Sequence, residues 1–562
     1  MINITNISRF LCVIVVSCLV SSCGGGGSGS SAQQTPPPPT GGTENPPPEP
    51  EPEEPAEISY AEAFRFLQQS TFGPTPIEIE SLQSIGFEAW IDGQLLLPVS
   101  KQLPYWRSLP TPEDLEEGHS NRMDAWFQNT IMGQDQLRQR VAFALSEIMV
   151  VSDQSELIHT PEGLANYYDL LSQHAFGNFR ELMGAVTLSP IMGSYLSMLG
   201  NEKPDIEKNI QPDENYAREL MQLFTIGLVK LNLDGSIILD NDGQPVQSYD
   251  QQTVEGFAHA YTGWTFAGSP TFHTPSFDYI SPMQSYSTFH DLGQKQLLDG
   301  TLLPAGQSAQ QDLEQALDNI YQHANVAPFI SHRLIQRLVT ANPSPDYIER
   351  VAATFNNDET GTRGNLFAVV KAILLDEEAR ATPSTETSGK LVEPLLRLTA
   401  LWRAYDARAA NGRFLYANPE VNFGQAPLRA STVFNFFDPN HAPIGEITNL
   451  SLVSPEMQIT DENTSALTNN FLAAAIYFQN SEVATLESET IVIDISAELE
   501  FANRPEELIS RTIDRLMGGT ISDSLQENLT TMVNLVPEEE AVQRVTEAIH
   551  TIATSPEFAL LK

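Results

Sequence analysis

From residue 58 onward the apolar positions recur mostly at three- and four-residue intervals, the spacing of one face of an α-helix. Leu137, Val141, Leu145 and Ile148 form one such stripe, opening at Gln134-Asp135, with Arg138 and Glu147 expected to face elsewhere. A second helix is predicted from Pro212-Asp213, where the Asp213 carboxylate can cap free amides, through Tyr216, Leu220, Leu223 and Phe224 to a stop at Gly227. A third starts near Asp250, buries Val254, Phe257, Ala258 and Tyr261, and ends at Gly263. Similar stripes predict helices over 329–339, 347–355, 366–375, 392–405, 508–517 and 541–553. Two stretches depart from this period. Residues 228–249 set Asp234-Gly235 and Asp242-Gly243 between short apolar runs, which predicts a small β-hairpin excursion, and 490–495 alternates like one isolated strand. No fixed-period repeat is present, which disfavours a solenoid. The fold class is therefore mainly α, a large multi-helix globular body over 58–562 whose length allows two subdomains.

The N-terminal pattern is different. Arg9 precedes an apolar run from Phe10 to Val20, shorter than the roughly 20 residues of a membrane-spanning helix, so it reads as a signal peptide. The run ends Leu19-Val20-Ser21-Ser22-Cys23-Gly24, which resembles the bacterial lipobox, where small residues let a peptidase cut before a lipid-modified cysteine. Residues 1–22 are thus expected to be removed, leaving Cys23 as an acylated N-terminus held in the membrane. Gly24 after the cysteine points to the outer membrane in a cell that has two. Residues 23–57 hold Gly24 to Gly27, Pro36 to Pro39, Pro46 to Pro48 and a Glu/Pro run. Such a stretch cannot bury apolar surface and reads as an extended tether.

Composition narrows the partners. Thirty Lys and Arg stand against 72 Asp and Glu, a net charge of −42, which repels phosphate backbones and excludes nucleic acid as an expected partner. Neutral groups, cations and metal ions remain. All three cysteines lie at positions 12, 18 and 23, so the body holds neither a disulfide, nor a thiolate metal site, nor a cysteine nucleophile. Gly-x-Ser-x-Gly, His-Glu-x-x-His and a phosphate loop ending Gly-Lys-Ser/Thr are all absent, as is a dinucleotide glycine fingerprint outside the linker. Asp240-Asn241-Asp242-Gly243 reads as a hairpin turn, because its glycine comes too early for a calcium loop.

The densest polar block is Asp213-Glu214-Asn215-Tyr216-Ala217-Arg218-Glu219, in which Glu214/Arg218 and Asn215/Glu219 each share a helix face. Glu255 and His259 also stand one turn apart, and His290-Asp291 is the natural source of a further metal ligand, with Lys295 near to neutralise an anion. His332 and His441 are weaker candidates. Glu214, Arg218, Glu219 and Lys295 are therefore the catalytic candidates, and His290 and Asp291 the ligands of a divalent metal, in a hydrolase where the ion activates water. The cofactor, if any, is otherwise unspecified. A carbohydrate-binding protein stacking Trp264 and Trp402 on sugar faces is a third reading. The reading favoured over both is a tethered body that works by binding.

Several segments in order resemble the exported bacterial family catalogued as domain of unknown function 1800 (DUF1800). They are Arg65-Phe66-Leu67 with Thr71-Phe72-Gly73, Asp135-Gln136-Leu137-Arg138-Gln139-Arg140 with Phe143, and Ala175-Phe176-Gly177-Asn178-Phe179-Arg180. The most specific is Glu214 to Met221 with Leu223-Phe224 and Gly227. Thr262-Gly263-Trp264, His290-Asp291 with Lys295, Val433 to Phe437, and Ser555 to Phe558 follow. The resemblance spans about residues 60 to 560 and brings no activity with it. It implies a mostly helical exported domain and, as a partner, an exported protein of the DUF1501 type, which itself looks like relatives of sulfatases and alkaline phosphatases. His259 falls where the family has no fixed histidine.

Overall fold

The computed structural model describes residues 57–382, 388–484 and 489–562, so the expected signal peptide, Cys23 and the tether through residue 56 lie outside the described residues. Among them, 24 α-helices stand beside three antiparallel pairs of two-residue strands, which makes the body mainly α. None of these helices is long and apolar enough to cross a membrane. One hydrophobic cluster runs from Ala63 to Phe558.

Most predicted helices form close to their expected limits: Val326–Leu338, Pro345–Asn356, Leu366–Leu375, Pro394–Ala404, Pro505–Met517 and Ala541–Ala553. The first three pack on one another in sequence order. The last packs against Glu462–Tyr477, Pro505–Met517 and Asp523–Leu535. The hairpin excursion is also present. Backbone bonds Lys230 N to Val246 O at 2.8 Å, Ile238 N to Lys230 O at 2.8 Å and Asp240 N to Gln244 O at 2.8 Å tie residues 228–248 into two successive hairpins. Val492 pairs with Arg408 and Ile493 with Asn480, so the isolated strand is reduced to two single bridges.

Two helices differ from expectation. Gln136–Ser146 is buried on every side, so Arg138 does not face solvent, nor does Glu147 just beyond its end. The polar face is enclosed because distant segments satisfy it: Arg140 Nη2 donates to Arg337 O at 2.8 Å and Gln139 Nε2 to Ser100 O at 3.0 Å. The second helix is α-helical only over Asn215–Glu219 and then widens to a π-helix over Leu220–Thr225. Thr225 Oγ1 donates to Leu220 O at 2.5 Å, which bonds the carbonyl at the start of the wide turn.

Candidate functional site

The helix Gln251–Ala260 organises the candidate residues. Asp250 caps it, its Oδ1 accepting from Thr253 N at 2.9 Å, and it runs past Glu214 at its start and Asp291 at its end. At the first turn, Gln251 Nε2 donates to Glu214 Oε1 and Oε2 at 3.0 and 2.9 Å. Arg218 Nη2 meets Glu214 Oε2 at 2.6 Å, an i,i+4 ion pair on the surface. Glu255, one turn on, lies 3.4 Å from Gln251 Nε2. The Glu214–Arg218 pairing is thus a helix-start brace, extended by Gln251 from the neighbouring helix.

At the last turn, His259 Nδ1 bonds the Asp291 carboxylate. That bond, with Gly293 N donating to Oδ1 at 2.8 Å, lowers the Asp291 carboxyl to about 2 against the opposing effect of burial. Thr262 Oγ1 accepts from Asp291 N at 2.9 Å and donates to His259 O at 2.7 Å, which fixes the pair's backbone. Between Thr262 and this pair, Gly263 adopts φ +86°, and a Cβ there would sit 2.9 Å from His290 N. The chain turns there on glycine because no side chain fits.

His290 points the other way from its neighbour Asp291. Its Nδ1 faces Thr262 O and its Nε2 faces Asp312 Oδ2, both at 2.9 Å, in a fully buried site. Lys295 Nζ donates to Asp312 Oδ2 at 2.7 Å, to Asp291 O at 2.7 Å and to Gly293 O at 2.9 Å. Gln307 Nε2 reaches Asp312 Oδ1 at 2.6 Å. Burial works to raise the Asp312 carboxyl, but the bonds from His290, Lys295 and Gln307 hold it below its ordinary value.

The candidates therefore divide between the two ends of one helix. Gln251 and His259 are eight residues apart, about 12 Å along the axis. The expected His290/Asp291 metal pair is not a pair: the two side chains, adjacent in sequence, are committed to Asp312 and His259 respectively. Among the described residues no group of three or more His, Cys, Asp or Glu side chains is arranged to hold a metal ion. Lys295 has all three donors used inside the fold. His332 is half-buried beside Arg333, and burial lowers it to about 3. Trp264 and Trp402 are 2% and 1% exposed, so their rings are core faces with no room for a sugar.

Glu219 stands apart from these committed groups. It closes the α-helical segment just before the π-turn, is 7% exposed, and its Oε2 has no hydrogen-bond partner. Burial raises its carboxyl above the ordinary value, with Arg218 opposing.

Sequence reading missed Asp312, Gln251 and a larger buried charge network. Gln425 Nε2 donates to Glu147 Oε1 at 2.9 Å and to Glu393 Oε2 at 2.6 Å, joining two sealed carboxyls. Arg337 lies 3.5 Å from Glu147, and Lys390 lies 2.9 Å from Glu456. The available signal was Arg140 and Glu147, charged residues flanking an apolar stripe too continuous to leave them a solvent face.

A family model described as a protein of unknown function, DUF1800, matches residues 65–560. No curated protein matches, and no solved structure matches.

Proposed function

The chain belongs to the DUF1800 family, whose function is unknown, and from that premise we propose that it is a binding component of the cell envelope, anchored through acylated Cys23 and docked to an exported partner protein. One observation carries the docking. Residues 438–458 form a lobe whose ends are tied by Asp438 N to Gln458 Oε1 at 2.7 Å and by Ser454 N to His441 O at 2.8 Å. The lobe turns Ile444, Leu450 and Met457 outward, and Phe434 just before it is also exposed; Ile444 is 104% exposed. Several apolar side chains exposed along one short stretch of chain favour a protein contact over solvent. The excess of carboxylates on the chain selects a partner whose apolar face is rimmed by Lys or Arg. An exported protein of the DUF1501 type is the occupant proposed.

A photo-crosslinker at Ile444 in living cells tests it. The expected adduct is with the DUF1501-type protein, lost in the Phe434→Asp, Leu450→Asp double variant and absent with the crosslinker at Leu535. No adduct at position 444, or the same adduct from both positions, overturns the docking. Membrane fractionation tests the anchor separately. Cys23→Ser is expected to release the chain into the soluble fraction, and retention of that variant on the membrane overturns it.

A further inference from the structure

A guanidinium in this fold normally ends on a carboxylate or a carbonyl. Arg180 and Arg350 pair with carboxylates. Among the described residues, Arg65, Arg140, Arg363, Arg397 and Arg544 form no ion pair but donate to backbone carbonyls instead. Arg380 bonds Gln69, and its remaining Nε and Nη1 are sealed. Arg333 follows none of these patterns. Its one hydrogen bond to a described residue runs from Nη1 to Gln336 Oε1 at 2.8 Å. Nε and Nη2, the two nitrogens of the side-on fork, bond no described residue, and neither is sealed from solvent.

The fork is nonetheless held in place. Arg333 is half-buried on the Val326–Leu338 helix. Gln336, one turn on and 4% exposed, donates from Nε2 to Ala341 O at 3.1 Å and to Pro439 O at 3.2 Å, so its amide is fixed with Oε1 toward the guanidinium. The centre of the Phe329 ring, one turn back, lies 5.2 Å from the guanidinium carbon, near enough for a cation–ring attraction. Burial lowers Arg333 to about 10, with Arg337 adding to the fall and Asp438 opposing it. Asp438 forms no ion pair with it, and its Oδ1 accepts from Asn440 N at 2.8 Å. A partly desolvated charge, braced on two sides with its fork open, is costly unless a ligand completes it.

We propose that Arg333, braced by Gln336 and Phe329, binds a carboxylate side-on through Nε and Nη2. Two coplanar carboxylate oxygens match two parallel N–H donors, and a charged pair of this kind is among the strongest hydrogen-bonding arrangements. The net charge of −42 opposes anions in general, but at physiological salt charges beyond about 8 Å are largely screened, so the local balance decides. Arg333 and Arg337 stand there against Asp438. Glu147, 3.5 Å from Arg337, is raised to about 8 by burial and leaves that guanidinium largely uncompensated at neutral pH. The acidic chain penalises a phosphate dianion twice as much as a carboxylate, which makes the monoanion the ligand. A free organic acid and an aspartate or glutamate side chain of another protein offer this chemistry alike. The site stands whether or not the lobe at 438–458 docks.

Ligand-observed NMR titration of the full chain tests the site with two probes, butyrate for a free acid and the α-amide of Nα-acetyl-glutamate for a protein side chain. Saturable binding of either is expected, with none of butyramide at the same ionic strength. Tighter binding of butyrate assigns a free acid as the source, and tighter binding of the glutamate probe assigns a protein side chain. Arg333→Lys keeps the charge but loses the fork, and is expected to weaken binding about tenfold or more. The wild-type chain gives a second readout that needs no variant to fold. Labelling of Arg333 by phenylglyoxal, followed by peptide mass spectrometry, must slow as butyrate saturates and stay unchanged with butyramide. Phosphate protecting Arg333 better than butyrate, failure of both probes to saturate, labelling unaffected by butyrate, or wild-type affinity in a folded Arg333→Lys chain overturns the proposal.

Discussion

Lys295 Nζ lies 2.7 Å from Asp312 Oδ2, with both side chains sealed from solvent, and His290 Nε2 reaches the same oxygen at 2.9 Å. Asp312 belongs to the Ala309–Gln322 helix, while Lys295 pairs with Leu303 in a two-residue strand. The cluster therefore joins the Ala309–Gln322 helix to the hairpin of residues 295–303. Removing one partner strands a buried charge, which costs about 3–5 kcal/mol. Lys295→Met and Asp312→Asn are each expected to lower the unfolding free energy by that order, read as a fall in the urea midpoint. The Lys295→Met, Asp312→Leu pair should lose less than the two single losses combined, because no uncompensated charge remains between them. A Lys295→Met chain that unfolds at the wild-type midpoint contradicts this clamp.

The Glu147–Gln425–Glu393 network makes stability depend on pH in the direction opposite to an ordinary ion pair. Burial raises Glu147 to about 8, with Arg337 opposing and Glu393 adding to the rise. Burial acts on Glu393 too, but Lys390, Arg140 and Arg337 outweigh it and hold that carboxyl low. An acid whose folded value exceeds its unfolded value binds more protons when folded. Its stabilising effect is complete below about 4.5 and is lost as pH rises toward about 8. Chemical denaturation across that window is expected to show wild-type stability falling with pH, and Glu147→Gln should flatten the fall. An equal slope in the two proteins contradicts the assignment.

Local punctuation was legible in the chain, and enclosure by distant segments was not. Asp250 and Gly263 bracket their helix within three residues of the predicted limits, since caps and glycine turns act over one turn of backbone. The two Asp-Gly turns placed the hairpins for the same reason. The π-turn after Glu219 left no trace, because i,i+5 bonding reflects tertiary fit more than residue type. Arg138 was expected outside because a stripe shows which face is apolar, whereas burial of the opposite face depends on segments such as Arg337, 197 residues from Arg140. Of the candidate site, Glu214 and Arg218 were legible as an i,i+4 pair. Asp312 was not, because nothing at short range ties it to His290 or Lys295.

The His259–Asp291 pair predicts an acid-range effect of conventional sign. The hydrogen bond from His259 is the largest cause of the lowered Asp291 carboxyl, which stands at about 2 against an ordinary 3.8. A carboxyl lowered by folding stabilises above its unfolded value, and that contribution is lost as pH falls through the folded one. Carbon-13 titration of the Asp291 carboxyl is expected to show its midpoint rising in His259→Ala toward 3.8. A midpoint unchanged in His259→Ala contradicts the pairing.

Two helical glycines should respond oppositely to the same substitution. A Cβ at Gly256 would lie 1.8 Å from Gln296 O, a backbone atom of the strand on which the Gln251–Ala260 helix packs. Backbone cannot swing aside as a side chain can, so Gly256→Ala must push the helix off that strand. Overpacking of this kind costs about 1–3 kcal/mol or more. The shift would also disturb His259 and Asp291 at the helix end. Gly93, within Phe87–Leu96, has nothing within 4 Å of an added Cβ. There alanine only removes freedom from the unfolded chain and improves helix propensity, a gain of about 0.5–1 kcal/mol. Thermal melts of the two variants should therefore shift in opposite directions. A Gly256→Ala chain as stable as wild type would show that helix and strand are not in the close register that places Glu214 and Asp291 at the two ends of one helix.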